Sequence, residues 1–504
     1  MEIQAVCKQL SRTLPVLIAV LASAPAAGSD LFGAGSRNIA LGGAVSATCD
    51  DGNAAWYNPA LLGAIPTPRL ALGYTGVFPS VDATVEDFGS LGQVAAYRVE
   101  GSGSGSGGPA ATLTGQALQD AFDQAADLDA YSTIGVHFVL PLQSLFPGFP
   151  VPAGFGGSFI IPQAGTALAA YSSRTPTQPF FPSWNTPFGQ ARIQFGLGVE
   201  AWKDVLWLGA GTSVHSTAAG EVVTLTPIAT FDPAKPEQNQ PTPSNASTSQ
   251  GLDLSISPVA GLLVKPVKWL KVGLAYRGEE ETRIAMDVRA SMVLNLGEPV
   301  QIDLPYVMSG SFAYKPHRFA AALALEPADE LTLSLEGTLG LWSTFSPHVQ
   351  VLSFKVADSA LDEYGAVFID DLGTRFRATS EPLPVVSVRD TLIPAAGVEY
   401  RFRFGLDLRG GYAYRPSPLN PDQGHVNMLM DNSWHQVSLG AGLRLSGDAQ
   451  GPRTVVNLHG QGVLLVSRYN RVGAPDADGA SMAGGLVESS GWMGGFGVEL
   501  VREF

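Results

Sequence analysis

Few residues of this chain are spaced for catalysis. Gly196-Leu197-Gly198-Val199-Glu200-Ala201 fits a loose nucleotide-binding pattern. That pattern works only between a strand and a helix. Here it lies inside an alternating, strand-like run, so no nucleotide is expected. The seven histidines (His137, His215, His317, His348, His425, His435 and His459) show no metal-ligand spacing. They read as interfacial or solvated residues. Asp50-Asp51 could hold a cation, although aspartates in such a setting more often cap turns and helices. Asn245-Ala246-Ser247 matches a glycosylation acceptor and reads as an exposed polar loop. No nucleophile elbow and no pair of catalytic carboxylates stands out. The expectation is a protein that is not an enzyme, with no catalytic residue, no metal and no cofactor.

Composition points to a different solvent. The chain has 504 residues, of which 45% are hydrophobic and only 15% charged. A soluble globular protein carries about 25% charged residues. Yet no apolar run approaches the roughly 20 residues that a membrane-spanning helix needs. An apolar chain without long apolar runs must distribute those residues in a fine alternation, which is how outer-membrane barrels read. The net charge of -15 disfavours nucleic acid as a partner. Two cysteines, Cys7 and Cys49, make neither a disulfide framework nor a zinc site.

The elements that would position any site follow from that alternation. Lys8 and Arg12, an apolar stretch from Leu14 to Leu21, and the small residues Ala22 to Gly28 have the three-part pattern of a signal peptide. Residues 1–28 are therefore expected to be cleaved on export, after Ala26 or after Gly28. Period two dominates beyond residue 67. In Leu331–Leu341, Leu331, Leu333, Leu335, Leu339 and Leu341 share one face, while Thr332, Ser334, Glu336 and Thr338 share the other. In Phe404–Tyr414, Phe404, Leu406, Leu408, Tyr412 and Tyr414 oppose Asp407, Arg409 and Ala413. A soluble sandwich would alternate too. The signal peptide, the low charge and strands of about 10 residues favour a membrane barrel.

Short connections (Trp202–Asp204, Pro266–Lys268, Pro327–Glu330, Arg401–Arg403) alternate with long ones (Pro79–Ala130, Ser216–Gln250, Ser343–Asp390). Pairing the strands in this way predicts an all-β fold, a transmembrane antiparallel β-barrel of about 14 strands. Glu279–Arg318 reads either as one long strand or as a strand with a folded loop. Ala117–Leu128 has apolar residues at helical spacing and predicts a short surface helix. The final strand puts Phe496, Val498, Leu500, Arg502 and Phe504 on one face, an ending similar to the C-terminal signal of outer-membrane proteins.

Residues 29–66 do not alternate, and they are too few to form their own core. In a barrel wide enough for a channel, such a segment can fold into the lumen as a plug. The expected organisation is a signal peptide over 1–28, an N-terminal hatch over 29–66 and a barrel over 67–504.

Gly35-x-Arg37, Leu41-Gly42-Gly43-Ala44, Asp50-Asp51 and above all Asn58-Pro59-Ala60 resemble the N-terminal hatch of the FadL/TodX family of outer-membrane transporters. Gly397-Val398-Glu399-Tyr400, Leu408-Arg409-Gly410-Gly411-Tyr412 and Leu333-Ser334-Leu335-Glu336 resemble the same family. The resemblance implies a fourteen-stranded barrel with a hatch inside, in the outer membrane of a Gram-negative-type cell. It implies passive uptake of long-chain fatty acids or other hydrophobic compounds. Outer loops would capture the ligand, the lumen would bind it, the hatch would move and the ligand would leave sideways. Hydrophobic small molecules and outer-membrane lipid are the expected partners, and the expected state is a monomer.

Site residues follow from the resemblance. Asn58, Pro59 and Ala60 would lie near the lumen pocket. Arg192 and Arg409, on inward faces, are candidates for a ligand carboxylate, with lumen ion pairs to Glu200 and Asp407 as the alternative. Pro162 and Gly165, in a third strand read as Gly154–Ala170, would break the wall hydrogen bonds. Such a break is either a bulge at the rim or a lateral opening, and the resemblance favours the opening. A scaffold or shuttle in protein secretion with the same hatch motif, a general diffusion porin and an outer-membrane enzyme are the rival readings.

Overall fold

The computed structural model describes residues 33–87, 131–162, 192–225, 245–295, 299–345, 353–354, 387–420, 431–445, 453–475 and 482–504. The signal segment, the expected helix over Ala117–Leu128 and Gly165 lie outside these residues.

In chain order the strands are β1 (Arg69–Asp87), β2 (Tyr131–Pro141), β3 (Ala153–Pro162), β4 (Arg192–Trp202), β5 (Leu206–Leu225) and β6 (Asn245–Val267). Then come β7 (Leu270–Arg277), β8 (Glu280–Asn295), β9 (Pro299–Lys315), β10 (Arg318–Ala328), β11 (Leu331–Gly340) and β12 (Ser353–Phe354). The last are β13 (Thr391–Arg401), β14 (Leu406–Arg415), β15 (Trp434–Leu445), β16 (Thr454–Pro475) and β17 (Met482–Glu503).

The wall closes. β17 returns to β1 in antiparallel register, from Arg69 opposite Glu503 to Asp87 opposite Leu486. β7 pairs directly with β10, and β11 pairs directly with β13. The ring therefore skips β8, β9 and β12 and contains fourteen antiparallel strands. Among the described residues each of the fourteen wall strands has a partner on both sides, which is what a sheet in lipid requires.

The segment 279–318 resolves into the β8–β9 hairpin, which stands outside the ring count. β8 runs parallel to β5, with Ala219 opposite Ala285 and Leu225 opposite Ser291. β5 and β6 stay paired out to Leu225 and Asn245. Part of the region expected as the loop Ser216–Gln250 is thus strand, extending well beyond the 9–11 residues that a bilayer crossing uses.

Side-chain burial is inverted relative to a soluble sandwich. Leu335 is 56% exposed and Leu439 67%, while Glu399 is 1% exposed and Glu336 8%. Leu333, Leu408, Val437, Leu464, Phe496 and Leu500 all point outward, whereas Thr332, Ser334, Asp407, Arg409, Gln436 and Ser438 are buried. Exposed Trp202, Trp269, Phe404 and Phe504 lie at or beside the short-turn ends of their strands. An apolar outer band with aromatic residues at its margin suits a wall bathed in lipid. Among the described residues no helix is long and apolar enough to cross a membrane.

Leu439 lies near the middle of β15 and faces outward. Leu439→Arg is expected to destabilise the folded barrel by about 2–4 kcal/mol, the cost of a charge on the lipid face near the midplane. Leu439→Phe should change little. Reversible denaturant unfolding of the refolded protein in bilayers measures the difference.

Candidate functional site

Residues 33–65 contact the inward faces of strands all around the ring, so they lie within it. Two short helices, Ser36–Ala40 and Ala54–Tyr57, and a 3₁₀ helix, Pro59–Ala64, make up the segment. None has enough turns to be stable alone. Their buried residues instead join one apolar cluster with the wall, in which Leu61, Leu62 and Ile65 meet Val139, Ile160, Trp207 and Leu263.

Three buried glutamates of the wall grip this inner segment. Glu399 of β13 receives Arg37 in a two-pronged pair, Nε at 3.0 Å and a terminal nitrogen at 2.8 Å. Glu336 of β11 accepts from the Ser46 backbone N–H and hydroxyl, each at 2.9 Å. Glu499 of β17 accepts from the Ser36 N–H at 3.2 Å. On the far side, the Ser158 hydroxyl of β3 donates to Asn53 Oδ1 at 3.1 Å and lies 2.9 Å from His137 Nδ1. His137 is therefore a buried, hydrogen-bonded residue and not the interfacial or solvated one expected from the sequence.

Asn58-Pro59-Ala60 sits inside the ring. Asn58 is fully buried. Its side-chain nitrogen donates to Ser46 O at 2.7 Å and to Leu262 O of β6 at 3.0 Å. Its side-chain oxygen accepts from the Ala60 N–H at 3.1 Å. Asn58 so caps the 3₁₀ helix that Pro59, with no N–H to satisfy, begins.

Glycines on the strands make room for this backbone. A Cβ on Gly209 of β5 would lie 2.1 Å from Ala60 N, and one on Gly261 of β6 would lie 2.0 Å from Asn58 Oδ1. Across the lumen, a Cβ on Gly411 of β14 would lie 2.1 Å from Gly42 N. Gly42 itself has φ 67°, a left-handed backbone that favours glycine. The small residues that alternate along the inward faces are thus seats for the segment.

The two arginines expected to meet a ligand are placed differently. Arg409 donates to Glu399 at 2.7 Å, Asn457 at 2.8 Å and Asp407 at 3.3 Å. The ion pair with Asp407 is thus the arrangement present, and the protein itself occupies this guanidinium. Arg192 lies over the Trp56 ring, 4.4 Å from its centre. Pro162 is the final described residue of β3, still in register with Thr133 of β2. The ladder to β4 is described as far as Ile160 opposite Arg192. Any partner of Pro162 on β4, like Gly165, lies outside the described residues.

Sequence reading missed the cavity. It lies on the long-loop side of the inner segment and is small, about 50 Å³, and open toward the mouth. Trp56, Tyr57, Ile39 and Gly43 form its floor. Arg277 of β7, Arg318 of β10, Arg415 of β14 and Glu336 stand in its wall. Arg277 also lies 4.3 Å from the Trp56 ring centre. The available signal was Arg277 itself, which continues the inward face of Lys271, Gly273 and Ala275.

No protein-family model matches the sequence, and no curated protein matches it. Solved structures do. A Pseudomonas aeruginosa FadL homologue superposes with a TM-score of 0.52 at 15% identity, covering 93% of this chain and 97% of that one. The monoaromatic hydrocarbon channel CymD superposes at 0.50 and 12% identity, covering 95% and 99%. The fold is that of the FadL homologue. It agrees with the resemblance drawn from Arg37, Asn58-Pro59-Ala60 and Glu399, although the sequences have diverged widely.

Two expectations test how the FadL-like barrel holds its inner segment. Gly209→Leu and Gly261→Val should each dislodge it, since the added carbons meet backbone or the Asn58 side chain. Gly462→Val should not, since Gly462 has open space around its Cβ position. Protease cleavage within residues 33–65 of the folded barrel reports the displacement.

The second concerns Asp50. Burial pushes its carboxyl up, but Arg37 and Arg69 outweigh burial and hold it at about 2, below its ordinary 3.8. A carboxylate with a depressed pKa stabilises the fold fully above its ordinary value and loses that contribution as pH falls through the depressed one. The Asp50 share of anchoring should therefore persist at pH 5 and fade between about pH 4 and pH 2. Asp50→Asn should flatten the stability profile in that window.

Proposed function

We propose that this chain is an outer-membrane channel for passive uptake of long-chain fatty acids or other hydrophobic compounds. It works as a monomer in outer-membrane lipid. The observation that carries this reading is a closed fourteen-stranded wall whose lumen is filled by residues 33–65, with a cavity directly above them. An open diffusion pore has no use for such a filling. A hydrophobic solute needs a path past the polar outer leaflet and then a release step, and a movable hatch can supply release.

In this reading residues 29–66 are the hatch. Outer loops capture the ligand and pass it to the cavity over Trp56 and Tyr57. Movement of the hatch then opens a way on, and the ligand leaves sideways beside β3. Among the described residues, that side of the hatch is held by Ser158 to Asn53, by the Asn58 side chain to Leu262 O and by Arg192 of β4 over the Trp56 ring. Neutral hydrogen bonds of this kind contribute about 0.5–1.5 kcal/mol each. They yield more readily than the ion pairs on Glu399. CymD, which shares this fold, is a monoaromatic hydrocarbon channel by its own description, which supports the transport reading.

A reversible lock tests the reading. Asn53→Cys with Ser158→Cys, in a Cys49→Ser background, places two thiols across the 3.1 Å contact between hatch and wall. Closing them with a disulfide or a short thiol-to-thiol linker should stop uptake of a labelled fatty acid by cells. Reducing the disulfide should restore it. Uptake at the normal rate in the locked protein would refute hatch movement.

A further inference from the structure

Two buried carboxylates stand beside the ion pairs of the inner segment without joining them. Arg37, Arg401 and Arg409 pair with Glu399. Asp50 takes Arg37 and Arg69, Asp407 takes Arg409 and Arg444, and Glu503 takes Arg69. Among the described residues, no cation pairs with Asp51 of the inner segment or with Glu499 of β17. Yet Asp51 is 4% exposed and Glu499 1%. A buried carboxylate without a cation is costly as an ion and escapes the cost by taking up a proton.

Both carboxylates meet one peptide unit. Glu499 Oε2 accepts from the Ser36 N–H at 3.2 Å, and a Cβ on Gly35 would lie 3.4 Å from Asp51 Oδ2. Asp51 is the charge that Glu499 feels most strongly. Asn457 keeps Arg409 off Glu499, accepting from the first at 2.8 Å and donating to the second at 3.5 Å. The donors to Asp51 are neutral too, the Asn53 N–H at 2.7 Å and Asn38 Nδ2 at 3.4 Å. Beside them, Glu499 Oε1 and Asn38 Oδ1 are sealed from solvent and have no hydrogen-bond partner. Two ionised carboxylates have no hydrogen to offer Asn38, whereas a protonated carboxyl is a donor. A water in that place would need a cavity of at least about 10–15 Å³, and a proton needs none.

Charge sets the number of protons. The adjoining network holds five guanidinium groups against four carboxylates, so it is balanced by one further negative charge. Asp51 and Glu499 would together bring two. The remaining titratable groups that face them stay neutral. Cys49 Sγ lies 3.5 Å from Asp51 Oδ1, and burial pushes its thiol up. His459, two residues from Asn457 on the inward face of β16, is buried with both ring nitrogens unpartnered, and an imidazolium there would bury two unpaired donors.

We propose that Asp51 and Glu499 hold one proton between them, and that this proton latches the inner segment to β17. The latch stands on the placement of residues 33–65 and not on what the channel carries. While the proton is held, the pair bears the single charge that the network balances. When it leaves, two like charges face each other across the seam and push the segment off the wall. Burial, with the Asp50 charge beside it, raises the Asp51 carboxyl above its ordinary 3.8. A carboxyl raised in the closed form stabilises that form fully below its ordinary value and loses the contribution as pH rises through the raised one. The latch therefore responds to pH in the opposite direction to Asp50.

Two measurements on the folded full-length chain test the latch. The first is infrared difference spectroscopy at pH 6 between the wild type and Asp51→Asn or Glu499→Gln. Each substitution should remove the carbonyl stretch of one protonated carboxylic acid, because the carboxylate that remains is balanced by the network and ionises. The second is cleavage within residues 33–65 at low protease, where the rate follows the open population. Normalised to an unfolded substrate, wild-type cleavage should rise from pH 5 upward by as much as about tenfold per pH unit, the linkage of one proton, and then level off. Both variants should lack that rise. A flat wild-type profile overturns the latch whatever the variants do, so a variant that fails to fold leaves the test intact. A carboxyl band that persists in either variant assigns the proton to one residue by burial alone and overturns the sharing. Neither readout involves uptake, so failure here leaves the channel reading to its own test.

Discussion

Glu399 is the point on which the interior depends. This one buried carboxylate accepts from Arg37 of the inner segment, Arg401 of its own strand and Arg409 of the neighbouring strand. A lone carboxylate in such a place would be prohibitively costly, and three guanidinium groups around it reverse that cost. Arg409 in turn reaches Asp407 and Asn457. Arg37 reaches Asp50, and Asp50 reaches Arg69 at the start of β1. One network thus ties the first wall strand, three late strands and the inner segment together. Buried ionic networks add less to stability than their contacts suggest. Their value here is that only one placement of residues 33–65 satisfies all of them.

The opposite half of the segment is held by different physics. Around Asn58-Pro59-Ala60 the contacts are backbone against strand glycine, with one amide side chain reaching Leu262 O. Close packing there depends on the absence of side chains, so shape and dispersion replace charge. The two halves therefore answer to different perturbations. Low pH or charge removal acts on the Arg37 side, and added volume acts on the Asn58 side.

Much of this was legible from residue patterns. Alternation in Leu331–Leu341 and Phe404–Tyr414 placed Leu335 and Leu408 outward and Glu336 and Arg409 inward, as found. The count of fourteen wall strands followed from short and long connections. What alternation cannot express is which inward residues meet across the lumen. Gly35-x-Arg37 and Gly397-Val398-Glu399-Tyr400 were visible as separate motifs, yet their pairing at 2.8 Å spans 362 positions. The β8–β9 hairpin escaped for a similar reason. Period two marks strand without saying whether that strand belongs to the ring. The cavity was least legible, because Arg277, Arg318 and Arg415 come from three strands and become neighbours only when the wall closes.

That closure also links the cavity to the segment beneath it. Glu399 and Glu499 lie toward the short-turn ends of their strands, whereas Arg192, Arg277, Arg318 and Arg415 all stand at long-loop ends. The lumen is thus layered, with carboxylates gripping the segment below and guanidinium groups facing the mouth above. Two residues belong to both layers. Glu336 lines the cavity while holding Ser46, and Arg277 lines it while donating to Trp56 O at 3.5 Å. A ligand that engages Arg277 competes with its hold on Trp56, and any shift of Ser46 changes the charge that the ligand meets at Glu336. Linkage then makes the influence mutual: whatever occupies the cavity biases the position of the segment, and the position of the segment sets the affinity of the cavity to the same extent.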